Sequence, residues 1–375
     1  MSDYFDTLVK HRRELHKIPE ICYNEFKTGE YILNILKVLD CFDIKKMAKT
    51  GFVASYKPVD GSYIAFRTDL DGLKITEETD YEFISQNDGY MHACGHDLHM
   101  SMVLTLAEWI CENKPQKNIL LIFQPAEEGQ GGGKLMVEEG LFDIYDVKEI
   151  YALHNINEFP VGSIAFNSDK MFAGTIEFEI TLTGKGGHAA SPHENIDVNT
   201  AMNMLGLMLN TITSRFMDPI NENVLSIGIC RGGEAANIIP DTAMIRGTAR
   251  SYSIDELELI KKKIKNMADG VCLAYGCSNE FKLHSEYIPA INDKNIAEKI
   301  RSINFSNDLK LIECKPKMTG EDFSFMLNKI PGAIIWLGAG NDSNREFGLH
   351  NSKYKPDEKA MKYGFELFIQ LINEF

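Results

Sequence analysis

Residues 91–100, Met-His-Ala-Cys-Gly-His-Asp-Leu-His-Met, place three histidines, a cysteine and an aspartate in ten positions of a 375-residue chain that has only ten histidines. Such a cluster is either a metal site or a polar helix start, and neighbouring segments favour the first. Asp69 and Asp71 follow the apolar run 63–70. Pro125-Ala126-Glu127-Glu128 follows the run 118–124. His154 ends the run 149–155, and His350 lies in the loop after the run 332–340. In open α/β sheets, sites form beyond the carboxyl ends of strands, and each of these segments sits there. Thiolate, imidazole and carboxylate all bind Zn²⁺ and similar divalent ions. Cys94 and His96, two apart, can reach one small site from a turning segment. Glu127 and Glu128 are adjacent and point in different directions on any regular backbone. One can bind a metal while the other serves as general base, as metal-assisted hydrolysis requires.

Taken singly, these residues have plainer readings. A free cysteine is usually a small core residue, a lone buried histidine is usually hydrogen-bonded, and a glutamate pair before glycines is usually solvated. His92 and His99 read as supporting residues rather than ligands. Asp71 reads equally as a cap or turn residue. The stretch 129–134, Gly-Gln-Gly-Gly-Gly-Lys, lacks the spacing and hydroxyl residue of a phosphate-binding loop, and 184–188, Gly-Lys-Gly-Gly-His, reads as a turn. Five segments converging on one sheet edge carry more weight than any one of them.

The elements that must position these residues are of two kinds. The runs at 63–70, 118–124, 149–155 and 332–340 are almost continuously apolar, as in strands buried on both faces of a mostly parallel sheet. Helical patterns lie between them, near 98–112 and 134–141, giving an α/β layout. Residues 175–183 instead alternate, with Ile176, Phe178, Ile180 and Leu182 on one face. A helix follows with Ala201, Leu205, Met208 and Ile212 on a stripe. Strands near 222–230 and 242–250 come next, then a helix opened by a Ser253/Glu256 capping box, then a strand near 279–287. This β-α-β-β-α-β order is that of a ferredoxin-like unit. The expected organisation is a small domain, 172–285, inserted into a larger one formed by 1–171 and 286–375. Two domains suit the length.

The net charge of −15 argues against nucleic acid as a partner. No apolar stretch reaches the length of a membrane-spanning helix, and the N-terminus reads as an amphipathic helix rather than a signal peptide. A cytoplasmic location is expected. The eight cysteines form no CxxC pair, and reduced thiols are expected of them.

The motifs as a set resemble the dinuclear-metal aminoacylase, carboxypeptidase and hippurate hydrolase family. They are RTDLDGL (67–73), MHACGHDLH (91–99), FQPAEEGQGGGKLM (123–136), LHN (153–155), GKGGHAASPH (184–193), ANIIPD (236–241), RGTAR (246–250), MTGEDFS (318–324) and LH (349–350). The likeness runs over essentially the whole chain. EFKT (25–28), KTGFV (49–53) and FPVGSIA (159–165) are most similar to a branch that deacetylates N-acetyl-diaminopimelate in bacterial lysine synthesis. The alternative is a broader N-acyl amino acid or hippurate hydrolase; a non-catalytic relative that only binds an acyl amino acid is disfavoured by the complete site. The resemblance implies a zinc-peptidase-like catalytic domain with an inserted lid and dimerisation domain, and two divalent ions per subunit (Zn, Mn or Co). It implies Cys94, His96, Glu128, His154 and His350 as ligands, with Cys94 bridging. It further implies Glu127 as general base and proton shuttle, Asp69 as orienting residue, and His188 as oxyanion donor reaching a partner subunit's site. Asn237 and Arg250 would bind an N-acyl amino acid substrate, and the chain would be a homodimer through its inserted domain. Many relatives have His-x-Asp where this chain has Arg67-Thr68-Asp69, and bridge their metals with aspartate. A thiolate among carboxylates leaves the choice of ion open.

Overall fold

The protein is described from a computed structural model, which covers residues 4–305, 309–342 and 344–375; Met1–Asp3, at the start of the expected N-terminal helix, lie outside the described residues. Two compact units divide the chain. One is 1–171, 290–316 and 322–375; the other is 172–289 and 317–321.

In the larger unit, α1 (Phe5–His16) and α2 (Phe26–Leu39) precede β1 (Asp43–Met47), β2 (Gly51–Tyr56) and β3 (Tyr63–Asp69). Next come α3 (His96–Asn113), β4 (Asn118–Gln124), α4 (Gly132–Glu138), α5 (Leu141–Ile144), β5 (Val147–Pro160) and β6 (Ser163–Phe166). After the short strand β7 (Lys170–Phe172) the chain enters the smaller unit. There it forms β8 (Gly174–Thr183), β9 (Gly187–His188), α6 (Val198–Leu209), α7 (Ile212–Arg215), β10 (Asn223–Gly232), β11 (Ile238–Ile239), β12 (Thr242–Ser251), α8 (Ile254–Tyr275) and β13 (Ser278–Tyr287). The larger unit resumes with β14 (Ala290–Ile291), α9 (Lys294–Ser302), β15 (Lys310–Glu313), α10 (Ser324–Leu327), β16 (Gly332–Gly340) and α11 (Ala360–Glu374).

The larger sheet has eight strands in the order β1-β2-β4-β3-β5-β16-β6-β15. It is mixed, but the central strands β4, β3, β5 and β16 are mutually parallel. Every residue of β3, β4 and β16 is buried, as their largely apolar sequences suit strands covered on both faces. The parallel run brings four carboxyl ends to one edge. One strand departs from expectation: β5 does not stop at His154 but continues to Pro160. Its ladder with β3 ends at Arg67 opposite Ala152, whereas its ladder with β16 runs on to Gly340 opposite Pro160. His154 is therefore still in a strand, just beyond the last residue that β3 pairs.

The smaller unit has an antiparallel sheet in the order β10-β12-β8-β13, the ferredoxin-like arrangement. Ile176, Phe178, Ile180 and Leu182 pack with Leu205, Ile260, Ile264 and Val271. On α6 the buried residue of the last turn is Leu209; Met208, expected on the stripe, is partly exposed. The helix ends there, and Ile212 is buried from the separate turn α7. Ser253 caps α8 by accepting from the Glu256 N–H, but the Glu256 carboxylate binds Asn221 and Asn223, so the reciprocal half of the box is not made. Residues 317–321, remote in sequence, belong to this unit: Arg250 Nη1 donates to the Met318 carbonyl at 2.8 Å, and Gly320 sits against Thr175 and Tyr287.

The expectation of reduced thiols does not hold for Cys41 and Cys111, which form a disulfide across 70 residues of sequence. Sequence spacing gave no sign of it, because the pairing depends on the fold bringing the end of α2 to the end of α3.

Candidate metal centre

The segment 91–96 is a turn that delivers two donors before a helix. Met91 pairs with Leu73 in an isolated bridge. The Gly95 N–H donates to the His92 carbonyl at 3.1 Å, and α3 starts at His96. Gly95 has a φ of 80°, and a Cβ there would meet the Asn155 amide at 2.2 Å. The position therefore needs glycine both for its backbone and for its space. Asn155 in turn donates to the Cys94 carbonyl at 2.8 Å. The turn that orients Cys94 is thus tied to the residue after His154.

The imidazoles are set by their second nitrogens. His96 Nδ1 lies 2.8 Å from the Asp71 carbonyl, which can only accept, so Nδ1 carries the proton. In the neutral ring this leaves the lone pair on His96 Nε2, the atom a metal ion would take in place of a proton. It is buried, has no hydrogen-bond partner among the described residues and lies 3.7 Å from Asp69 Oδ2. His154 Nδ1 donates to the Asn155 carbonyl at 2.9 Å, its Nε2 is 3.4 Å from Cys94 Sγ, and Trp336 packs edge-on to its ring. His350, with a φ of 64°, donates its N–H to the Ala93 carbonyl at 2.9 Å; its Nε2 is 3.1 Å from Glu128 Oε1.

His99 is excluded as a ligand by the same accounting. Its Nδ1 donates to Asp69 Oδ1 at 2.8 Å and its Nε2 accepts the Asn155 N–H at 2.9 Å. It is a link between Asp69 and Asn155. His92 is buried beside the site, and its ring nitrogens have no hydrogen-bond partner among the described residues.

Charge is concentrated here. Burial opposes ionisation of Asp69, yet His96, His99 and Arg67 outweigh it and hold the carboxyl well below its ordinary range. Burial likewise opposes charge on His96, but Asp69, Asp71 and Glu128 together push it up to about 10. Burial, then Glu128 and Glu127, drives the Cys94 thiol well up. Burial and His99 hold His154 well down. A thiol, imidazoles and carboxylates gathered out of water form a donor set of the kind that binds a divalent ion.

The donor geometry fits such an ion. The ligand atoms of Cys94, His96 and His154 lie within 4.8 Å of one another, as do those of Cys94, Glu128 and His350, and those of His96, Glu127 and Glu128. The first two sets share only Cys94. The unpartnered His96 Nε2 points to the same conclusion.

In the smaller unit, β9 and β11 pair His188 with Ile238, and the Ala189 N–H donates to the Asn237 carbonyl at 3.1 Å. This brings His188 and Asn237 together; both are exposed. His188 Nδ1 accepts the Ala190 N–H at 3.0 Å, so its Nε2 carries the proton and is free to donate. Gly187 is required by close approach, since a Cβ would stand 2.1 Å from Asn195 Oδ1. Arg250 lies near the far end of β12, held by the Met318 carbonyl.

Several residues of the larger unit were not singled out from sequence. Arg67 bridges Asp69 (2.8 Å), Gln124 (2.8 Å) and Asp322 (3.1 Å) in full burial. Asn155 and Tyr354 hydrogen-bond beneath Cys94. The available signal was a buried polar residue at the carboxyl end of an apolar run: Arg67 follows Ile64-Ala65-Phe66 in β3, and Gln124 closes β4 after Ile119–Phe123.

The chain belongs to peptidase family M20/M25/M40, whose profile matches residues 65–374. It is 40% identical to the N-acetyldiaminopimelate deacetylase of Halalkalibacterium halodurans, over 98% of both chains. It is 39% identical to the N-acetyldiaminopimelate deacetylase of Bacillus subtilis, over 95% of both. Among solved structures, the Bacillus subtilis YXEP protein, a dinuclear metal-binding peptidase of the M20 family, matches with a TM-score of 0.82. That protein is 28% identical, and the match covers 99% of this chain and 98% of the other.

Proposed function

We propose that the protein is a metal-dependent amidohydrolase that removes the acetyl group from N-acetyl-diaminopimelate, giving acetate and diaminopimelate. The observation that carries the chemistry is the pair of donor sets, Cys94/His96/His154 and Cys94/Glu128/His350, joined at one thiol. Full-length identity of about 40% to named deacetylases supports the substrate.

In this reading Cys94, His96, Glu128, His154 and His350 would hold two divalent ions, the Cys94 thiolate belonging to both donor sets. When bound, the ions supply Lewis acidity, lowering the pKa of a water and polarising the amide carbonyl. Asp69, ionised by its buried cations, fixes His99 and through it the peptide of Asn155. Glu127 takes a proton from the attacking water as its oxygen bonds to the carbonyl carbon. His188 donates its Nε2 proton in a hydrogen bond to the developing oxyanion. Glu127 then passes the proton to the amide nitrogen as the C–N bond breaks. Asn237 and Arg250 bind the substrate's carbonyl and carboxylate. The smaller unit serves as lid and as the contact of a homodimer, and the enzyme works in the cytoplasm.

The test is to strip metal with a chelator and restore Zn²⁺, Mn²⁺ or Co²⁺ singly. N-acetyl-diaminopimelate, hippurate and N-acetyl-methionine are then offered side by side. Metal-restored acetate release with preference for the first is expected. Equal cleavage of all three would replace the specific substrate with a broad acyl amino acid one, and no cleavage with metal bound would reject the hydrolase reading.

A further inference from the structure

The loop that carries Glu127 and Glu128 turns on Ala126, a non-glycine residue at a φ of 53° in the left-handed region. Such a residue persists only where its surroundings hold it. Here three consecutive N–H groups point into buried protein and end on two carboxylates. The Ala126 N–H donates to Glu25 Oε1 at 2.9 Å, the Glu127 N–H to Asp71 Oδ1 at 3.2 Å, and the Glu128 N–H to Asp71 Oδ2 at 3.0 Å. Successive N–H groups in a turn of this kind form an anion-binding concavity, and the chain fills it with its own side chains. Both carboxylates are buried. Glu25 is fixed from its other oxygen by the Thr50 hydroxyl at 2.5 Å. Asp71 also holds the His96 ring, because its backbone carbonyl accepts the hydrogen bond from Nδ1–H. The chain returns close against the loop just after it: a Cβ at Gly132 would stand 1.7 Å from the Pro125 carbonyl oxygen, so that position needs glycine.

We propose that Asp71, assisted by Glu25, is the positioning residue that keeps Glu127 and Glu128 in separate roles. This rests on the reading of the site as a two-metal hydrolase centre. Flipping either peptide of the pair would turn an N–H away from Asp71 and take a backbone donor from a buried carboxylate oxygen, which is costly. The two glutamates therefore cannot exchange places between metal and proton transfer, and His96 presents Nε2 from the same anchor.

The experiment compares Asp71→Asn, Glu25→Gln and wild type. Asp71→Asn keeps the shape but replaces one acceptor with an N–H₂ group, facing a backbone donor with another donor. Equilibrium affinity for Zn²⁺ is measured on stripped protein by competition with a chromophoric chelator, and kcat and KM are measured separately on reloaded protein. Asp71→Asn is expected to lose roughly 10- to 100-fold in Zn²⁺ affinity or in kcat, with KM within about twofold, as outer supports of metal sites do. Glu25→Gln, which meets the Glu127 loop only at the Ala126 N–H, is expected to show a smaller loss of the same kind. Wild-type affinity and kcat in a folded Asp71→Asn protein would overturn the proposal. If Asp71→Asn does not fold, Glu25→Gln decides: a lowered melting temperature with unchanged affinity and kcat would show a purely structural clamp and overturn it. Wild-type protein that binds Zn²⁺ tightly but cleaves no acyl amino acid would instead reject the parent reading, while the affinity comparison would still test the clamp.

Discussion

In the larger unit, Asp69, His96, His99 and His154 are buried, and nearly every nitrogen and oxygen they bear is committed to a named partner. In the smaller unit, His188 and Asn237 are exposed on a two-residue ladder, and the His188 ring is fixed by a single backbone N–H. The first arrangement sets geometry before any ligand arrives, at the cost of gathering charge out of water. The second presents a donor that reaches its working geometry only when something meets it. The two regions should therefore fail differently when a residue is removed: loss of chemistry or metal on one side, loss of transition-state contact without loss of metal on the other.

The sharpest way to break this contrast is Glu127→Gln. It keeps size and hydrogen bonding, so metal content by elemental analysis should stay at the wild-type level. Turnover should fall by about 10²–10⁴-fold, the usual worth of a positioned general acid-base group. Retained turnover would remove Glu127 as base. His188→Ala tests the other side. Metal content should again be unchanged, and kcat should fall by about 10²–10³-fold, as when an oxyanion donor is removed. Mixed dimers of His188→Ala and Glu127→Gln chains should regain activity if His188 serves a partner's site. Proven mixed dimers without recovery would place His188 in its own chain's site.

The contrast also explains what the sequence disclosed. The ligand candidates were legible because carboxylates, imidazoles and a thiol at the ends of apolar strands have few structural uses, and strand type follows from composition alone. The ferredoxin-like order was legible because alternation in β8 and the Ser253 cap are local signals. The buried stripe of α1 was not. Leu8 and Leu15 face the core as expected, but His11, Arg12 and His16 are buried with them. Their partners lie 60 to 100 residues away or more: Glu108 for His11, Asp97 and Glu358 for Arg12, Glu77 and Asp97 for His16. Periodicity assigns such residues to solvent, and only long-range pairing reverses it. Asn155 escaped notice, and Asp71 read only as a cap or turn residue, for a related reason, since their work is on backbone groups that no spacing rule names.

The Cys41–Cys111 pair is a smaller test, of the frame behind α3 rather than of the site. Chain-entropy arguments give a link across 70 residues at most about 4 kcal/mol. Cys41→Ser, or reduction, should lower the melting temperature by several degrees and leave kcat and metal content unchanged. Intact mass before and after reduction and alkylation checks that the Cys41–Cys111 bond has been opened. A change in metal content would mean that α3 transmits strain to His96.

The smallest expected effect concerns the pair His16 and Glu77, 3.1 Å apart beneath the N-terminal helix. Burial opposes charge on His16, but Asp97 and Glu77 outweigh it and raise its pKa above the ordinary 6.5. A raised pKa contributes stability that is fully present below about 6.5 and is lost as pH rises through the folded value. Burial opposes ionisation of Glu77 as well, and its bond to His16 outweighs it, lowering its pKa below the ordinary 4.5. That contribution is present above about 4.5 and is lost as pH falls through the folded value. Both are in force together between roughly pH 4.5 and 6.5. The difference in melting temperature between wild type and His16→Gln should therefore be widest in that window and narrow toward pH 9. A difference constant across pH would show that His16 contributes through packing alone. The buried polar layer under α1 would then be a matter of shape, unlike the charged layer around Asp69.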